Sequence, residues 1–138
     1  MLFSNSLDSL PDSIYFDNSP LDNVSDIRFI GVTIDDKLYW RLHVDNICKT
    51  ISRNIGFINK LKTHLPSYSL LYSSLILPYL NYGLLALDNA CQSLLDKLLL
   101  LQKKALRIIW RTAFLAHTDH LFSENKIMKI KDSHFFFI

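Results

Sequence analysis

The hydrophobic pattern changes period within one stretch, residues 26–58. Ile27 to Ile34 is rich in β-branched and aromatic side chains, which favours a single short strand ended by Asp35 and Asp36. Beyond it, apolar residues recur every three or four positions and occupy about a third of a helix circumference. They are Val44, Ile47, Cys48, Ile51, Ile55 and Ile58. We predict an amphipathic helix from about His43 to His64.

Two longer helices and a short one follow from the same periodicity. Residues 67–87 read as a helix that is kinked or broken at Pro78. Residues 92–111 have an apolar arc of about half the circumference, with Lys97, Lys103, Lys104, Arg107 and Arg111 on the other half. A fourth helix is predicted from Thr118, a suitable N-cap, to about Lys126.

The pattern predicts a mainly α protein with a small N-terminal β-hairpin, an α+β class with three to four packed helices. Residues 1–12 are predicted to form a disordered, Ser- and Asp-rich lead-in. In residues 13–36, a strand at 13–17 and the strand at 27–34, joined by a turn rich in Asn, Pro and Asp, form a β-hairpin or a small antiparallel sheet. Residues 37–132 are helical, and residues 133–138 form an apolar tail.

Composition adds a charge asymmetry to this plan. The chain has 138 residues, enough for one domain with a core, and its opening residues lack the features of a signal peptide. Residues 1–36 hold seven Asp and one Arg, whereas residues 97–111 hold five basic side chains and no acid. Basic helices behind an acidic head favour a polyanionic partner. Two cysteines indicate free thiols inside the cell, without deciding between nucleus and cytoplasm.

Four strings, in order and at plausible spacing, carry a resemblance to a known family. They are Phe29-Ile30-Gly31-Val32-x-Ile34-Asp35-x-x-Leu38-x-Trp40-x-x-His43-Val44-x-x-Ile47, Leu77-Pro78-Tyr79-Leu80-x-Tyr82-Gly83, Leu101 to Ile109, and His117-Thr118-x-x-Leu121-Phe122. Over residues 13 to 132 the chain resembles non-LTR (LINE-type, jockey-like) retrotransposon reverse transcriptases. The resemblance implies the segment just after the catalytic palm and the thumb-like helices of an RNA-directed DNA polymerase.

Asp35 and Asp36 are the obvious candidates for catalysis, because paired aspartates hold the two metal ions of reverse transcriptases. Such a pair lies in a tight hairpin turn between apolar strands, whereas here the pattern soon becomes helical. The resemblance also puts Asp35 after the palm. We therefore predict that both residues end a strand and lead into a helix, that the chain has no catalytic residue, and that it is not an enzyme by itself.

The candidate binding residues are cations on two helices. Lys49, Arg53 and Lys60 share one helix line, and 11 residues of helix span about 16 Å, a reach of a few phosphates. The later helix adds Lys103, Lys104 and Arg107. The resemblance implies that the thumb-like helices hold a template–primer duplex, so an RNA–DNA or other duplex backbone is the expected partner. The alternative for both sets is an ordinary solvated helix face.

The sequence is also compatible with other functions. The wide apolar arc of residues 92–111 could serve a helical interaction module or self-association. Residues 63–87 contain no charged side chain and are long enough to cross a bilayer, although their prolines and polar residues favour a buried helix. His117 and His120 lack the paired spacing of a zinc module, so we predict no metal and no cofactor.

Overall fold

The computed structural model describes residues 14–22, 24–61, 68–82 and 91–136. These residues divide into two compact units, an N-terminal unit that ends at His43 and a helical unit that starts at Val44. The α+β class is confirmed, with small antiparallel strand pairs first and helices after them. The predicted lead-in, 1–12, lies outside the described residues.

The N-terminal unit contains two separate two-stranded hairpins, so the predicted pairing of residues 13–17 with residues 27–34 was wrong. Strand β1 (Ile14–Phe16) pairs with β2 (Ser19–Leu21). Strand β3 (Asp26–Phe29) pairs with β4 (Val32–Asp35), which divides the single strand predicted from Ile27 to Ile34.

Both hairpins turn through two residues of positive φ, which matches the right-handed twist of the strands they join. Asp17 and Asn18, with φ of 49° and 60°, suit such a turn. The second turn uses Ile30 at 46° and Gly31 at 80°. A β-branched residue is strained in this region, and for that reason the sequence around Ile30 reads as continuous strand.

The first helix, α1, runs from Arg41 to Leu61 and begins two residues before the predicted start. Its apolar stripe is buried as predicted, with Val44, Ile51 and Ile58 fully shielded from solvent. The predicted end at 62–64 lies outside the described residues. Over its 21 residues, α1 therefore has one apolar side and one polar side.

The predicted interruption near Pro78 is present, two residues earlier than Pro78 itself. Helix α2 (Tyr68–Leu75) and helix α3 (Leu77–Tyr82) are separated at Ile76. Proline has no backbone N–H, and its ring clashes with the carbonyl four residues before it, so the regular helix yields upstream of the ring. The side-chain amide of Asn54 on α1 donates to the Leu75 carbonyl at the break, at 2.7 Å.

Helix α4 (Gln92–Ile109) ends two residues before the predicted Arg111. Arg111 takes the left-handed conformation at φ 54°, and the Thr112 N–H donates to the Arg107 carbonyl at 3.0 Å. This is a Schellman cap, with an arginine at the position that glycine usually fills. The cap stops α4 and turns the chain aside.

Two short helices complete the described chain. Helix α5 (Asp119–Glu124) begins after Thr118, which occupies the predicted N-cap position but makes no capping bond with its side chain. Helix α6 (Ile130–Phe136) was not predicted, and it takes up the first part of the predicted tail at 133–138. Residues 137 and 138 lie outside the described residues.

Buried apolar side chains of the helical unit form its core around α4. Helix α4 contacts both α2 and α6. The members on α4 are Leu94, Leu95, Leu98, Ala105, Leu106 and Ile109. Most of the wide apolar arc predicted for this helix is therefore buried within its own unit, whereas Leu99, Leu101 and Ile108 are half-buried.

Candidate nucleic-acid interface

The loop before α1 is organised by Asp35, one of the two aspartates considered for catalysis. Its Oδ1 accepts the backbone N–H groups of Lys37 and Tyr39 at 3.2 and 3.0 Å, and its Oδ2 accepts that of Trp40 at 3.1 Å. The loop needs this support because Leu38 and Trp40 both have positive φ. Asp35 thus ends β4, as predicted, and its carboxylate holds the loop that leads to α1, which was not predicted.

His43 connects the first turn of α1 to β4 within the N-terminal unit. Its Nδ1 accepts the Thr33 backbone N–H at 3.2 Å, and the imidazole is almost completely buried. Burial lowers the pKa of His43 below its ordinary value. The neutral ring therefore carries its proton on Nε2, which is buried without a hydrogen-bond partner in the described structure.

The three candidate cations on α1 are all exposed. Lys49, Arg53 and Lys60 lie opposite the buried stripe of the helix, as helical geometry requires. Arg53 donates to the Thr50 hydroxyl at 3.3 Å. None of the three forms an ion pair with the described part of the chain. We call this set the α1 basic line.

The candidate cations on α4 differ in exposure. Lys104 is exposed, whereas Lys103 and Arg107 are half-buried. The Nε of Arg107 donates to the Ala116 carbonyl at 3.0 Å, which holds the turn after α4 against the helix. Arg107 therefore has a structural task that the sequence did not reveal.

Lys104 and Arg107 line one side of a groove at the C-terminal end of α4, and Lys103 does not. The groove has a volume of about 520 Å³. Its lining consists of Leu100, Lys104, Arg107 and Ile108 from α4, and of Arg111, Thr112 and Phe114 beyond it. We call it the α4 groove. Sequence analysis did not select Leu100, Thr112 or Phe114, although the apolar Leu100 stands out within a basic helix face.

Three other lysines are neutralised by acids in the helical unit. Lys97 of α4 pairs with Asp45 of α1 at 3.5 Å, and Lys131 pairs with Asp96. Lys129 pairs with Asp119 at 2.7 Å, and the hydrogen bond between them holds the pKa of Asp119 below its ordinary value. These pairs separate structural cations from those of the α1 basic line.

A buried glutamine joins three elements of the helical unit. Gln102 Nε2 donates to Tyr72 Oη at 2.7 Å and to the Met128 carbonyl at 2.9 Å, and Gln102 Oε1 accepts the Ile130 N–H at 3.0 Å. Burial raises the pKa of Tyr72 to about 12, although the hydrogen bond from Gln102 acts in the opposite direction. Gln102 thus fixes α4 between α2 and the start of α6.

Other candidate chemistry has no assembled site in the described ranges. No group of three or more His, Cys, Asp or Glu side chains there could hold a metal ion. Cys48 and Cys91 are free, and a hydrogen bond from the Ser93 hydroxyl lowers the pKa of the exposed Cys91 thiol. Within residues 68–82 and the other described segments, no helix has the length and apolarity to span a bilayer. Residues 63–67 and 83–87 of that candidate segment lie outside the description.

Comparison with known proteins points to one class. The chain is a distant, partial homologue of a non-LTR retrotransposon RNA-directed DNA polymerase. The similar protein is the RNA-directed DNA polymerase from mobile element jockey of Drosophila melanogaster, which is 29% identical over 110 residues. The match covers 76% of this chain and 12% of that polymerase. The resemblance to this class is thereby confirmed, whereas the thumb-like placement stays a prediction.

Two further comparisons give no match. No known family profile matches the chain, and no solved structure matches it. The relation to the polymerase therefore rests on sequence alone.

Proposed function

We propose that this chain is a noncatalytic, thumb-like region of a non-LTR reverse transcriptase that binds the backbone of a template–primer duplex. The observation that carries the proposal is the α1 basic line. Three exposed cations without acidic partners in the described chain follow one side of a helix for about 16 Å. Contacts of this kind neutralise phosphates, release counterions and do not depend on base sequence.

The α4 cations extend the proposed surface. Lys103, Lys104 and Arg107 are placed on one face of their helix, opposite the buried core positions. Arg107 adds guanidinium N–H groups beyond the one used on Ala116, and such groups match phosphate oxygens. Six cations on two helices would suffice for a salt-sensitive grip.

A salt series tests duplex binding. We expect the full chain to bind an RNA–DNA duplex at low salt and to lose affinity steadily as salt increases, with a slope of about −0.9 per phosphate contact. Replacing Lys49, Arg53 and Lys60 together by Ala should flatten that slope by about three contacts. Fluorescence anisotropy with a labelled duplex measures both effects.

The ion-paired lysines supply the control for charge. Lys97→Ala removes the same charge as Lys60→Ala, but Lys97 is already paired with Asp45. We expect a clear loss of duplex affinity for Lys60→Ala and little change for Lys97→Ala. Absence of binding at low salt, or binding that salt does not weaken, would contradict the proposal.

The noncatalytic part of the proposal is supported by the engagement of Asp35. Both of its oxygens accept backbone N–H groups, so the carboxylate is occupied in holding a loop. A primer-extension assay with divalent metal is expected to show no synthesis by this chain. Extension that disappears in Asp35→Asn or Asp36→Asn would overturn the proposal.

Self-association is a second candidate, favoured by apolar side chains left outside the core. Leu100, Phe114 and Leu115 are 67%, 77% and 87% exposed. Exposed apolar side chains that cluster can mark a contact surface. Light scattering across a concentration series tests it, and a monomer at every concentration would exclude it.

A further inference from the structure

The α4 groove combines a basic surface with an apolar one, whereas the α1 basic line is defined by its cations alone. Lys104, Arg107 and Arg111 supply three cations, and no carboxylate is among the described residues that line the groove. Leu100 and Ile108 supply an apolar wall between them. A ligand that complements this groove must therefore carry negative charge and also offer a flat or apolar group.

An exposed aromatic ring borders the groove. Phe114 lies in the turn after α4, where the Ala116 N–H donates to the Ala113 carbonyl at 2.9 Å. The bond from Arg107 to Ala116 fastens this turn to the helix, so the ring is presented from a held position. An aromatic face beside cations is the combination on which single-stranded nucleic acids bind, by stacking bases and by pairing phosphates with cations.

A polar atom in the groove wall lacks a partner. The hydroxyl of Thr112 is shielded from solvent and makes no hydrogen bond in the described structure. Buried hydroxyl groups are normally hydrogen-bonded, because leaving one unpaired is costly. Because this oxygen is inaccessible even to water, a ligand in the groove would reach it only after a rotation of the Thr112 side chain.

We propose that the α4 groove binds unpaired nucleotides, with a base stacked on Phe114 and the adjoining phosphates on Lys104 and Arg107. The inference deepens the proposed function and rests on it, since it assigns Lys104 and Arg107 to a single-stranded part of a nucleic acid. A blunt duplex keeps its bases stacked inside and would leave the apolar wall and the Phe114 ring unused. A nucleotide with an unpaired base can contact the apolar wall and the Phe114 ring while its phosphates contact the cations.

The test compares three labelled probes with the full chain. They are a blunt RNA–DNA duplex, the same duplex with a single-stranded extension, and a free single strand of about ten nucleotides. The extended duplex should bind more tightly than the blunt one. Phe114→Ala should weaken binding of the extended duplex and the single strand roughly 5- to 100-fold while the blunt duplex keeps its affinity.

The next residue provides a matched control. Leu115 is in the same turn and is even more exposed, but it does not line the groove. Leu115→Ala should leave all three affinities unchanged. Phe114→Trp should retain binding, because indole also offers a face for stacking, whereas Phe114→Leu should behave like Phe114→Ala. Both positions are exposed, so circular dichroism should show unchanged folding in every variant.

The outcomes separate this inference from the proposed function. Equal affinity for blunt and extended duplexes, or equal effects of Phe114→Ala on both, would overturn the groove assignment and leave duplex binding intact. No binding of the blunt duplex would overturn the proposed function, and Phe114-dependent binding of the single strand would still support the groove. An acidic amphipathic peptide that binds in a Phe114-dependent way, while the single strand does not bind, would overturn the assignment in favour of a protein partner.

Discussion

The two units of this chain are stabilised internally by different interactions. In the helical unit α1, α2 and α4 each contribute buried apolar side chains to a core, and the buried Gln102 is hydrogen-bonded. In the N-terminal unit several large apolar side chains are exposed, and Phe16, Phe29 and Ile30 are exposed by 60% or more. The buried positions among the described residues of that unit are polar, namely Thr33 and His43.

The contrast shows how little apolar burial the N-terminal unit has. A two-stranded hairpin is marginal in water unless it packs against something. Here β4 and the loop after it are supported instead by specific polar contacts from Asp35 and His43. The stability of the helical unit should therefore change little when a surface contact is removed. The stability of the N-terminal unit should depend on the polar contacts of Asp35 and His43.

Gln102→Ala should produce the largest effect. The substitution leaves Tyr72 Oη, the Met128 carbonyl and the Ile130 N–H without their partner in a buried site. Unpaired buried groups cost about 1–3 kcal/mol each, so the free energy of unfolding of the helical unit should fall by about 3 kcal/mol or more. Urea unfolding followed by circular dichroism measures it.

Gln92 gives the matched comparison at the exposed start of the same helix. Gln92→Ala should change stability by no more than about 0.5 kcal/mol. Equal effects at the two positions would mean that the buried network contributes nothing to the stability of the helical unit.

Asp35→Asn should loosen the N-terminal unit with a smaller loss. Asparagine keeps one acceptor oxygen and no charge, so it cannot hold all three N–H groups of residues 37, 39 and 40. We expect local stability to fall by about 1–3 kcal/mol. Faster hydrogen exchange at Tyr39 and Trp40, with unchanged exchange in α4, would report it.

Asp36 is the neighbouring control for this change. Its side chain makes no hydrogen bond or ion pair in the described structure, and its backbone N–H donates to the Ser25 carbonyl at 3.0 Å. Asp36→Asn should leave exchange at residues 39 and 40 unchanged. If both variants loosened the loop alike, total charge and not the three N–H contacts would be the cause.

The smallest effect concerns pH. The folded pKa of His43 is lowered by burial, so the unfolded chain binds its proton first as pH falls. The contribution of His43 to stability is therefore complete above about pH 6.5 and is lost as pH drops from there toward the lower folded pKa. Exchange of the Thr33 amide, followed as a function of pH, should show this loss in the N-terminal unit.

His43→Asn removes the titrating group while keeping an acceptor for the Thr33 N–H. The variant should lose the pH dependence of Thr33 amide exchange that His43 causes. An unchanged slope in His43→Asn would assign the pH dependence to another group.

Much of α1 and α4 was predictable because helical periodicity is a local property. The buried stripe of α1 and the exposure of Lys49, Arg53 and Lys60 follow from residue spacing alone. The same periodicity also marks two residues that differ from their neighbours on the helix. Gln102 lies in the middle of the apolar arc of α4 and Leu100 in the middle of its basic face, and each proved to be an exception to its surroundings.

The strands were less predictable because pairing depends on turns. The run from Ile27 to Ile34 has the composition of one strand, and its division depends on two positive φ angles at Ile30 and Gly31. A β-branched residue in such a turn goes against local preference. Helix α6 was missed for a related reason, since seven residues carry too little periodicity to identify a helix.

The sequence by itself determined the α+β class, the two faces of α1 and α4 and the relation to a reverse transcriptase, because periodicity and residue order are written along the chain. Only the tertiary structure decided that Asp35 holds a loop, that Gln102 joins three helices and that Arg107 fastens the turn carrying Phe114. Such contacts join atoms whose distance depends on how the whole unit packs. No local pattern of residues specifies that distance.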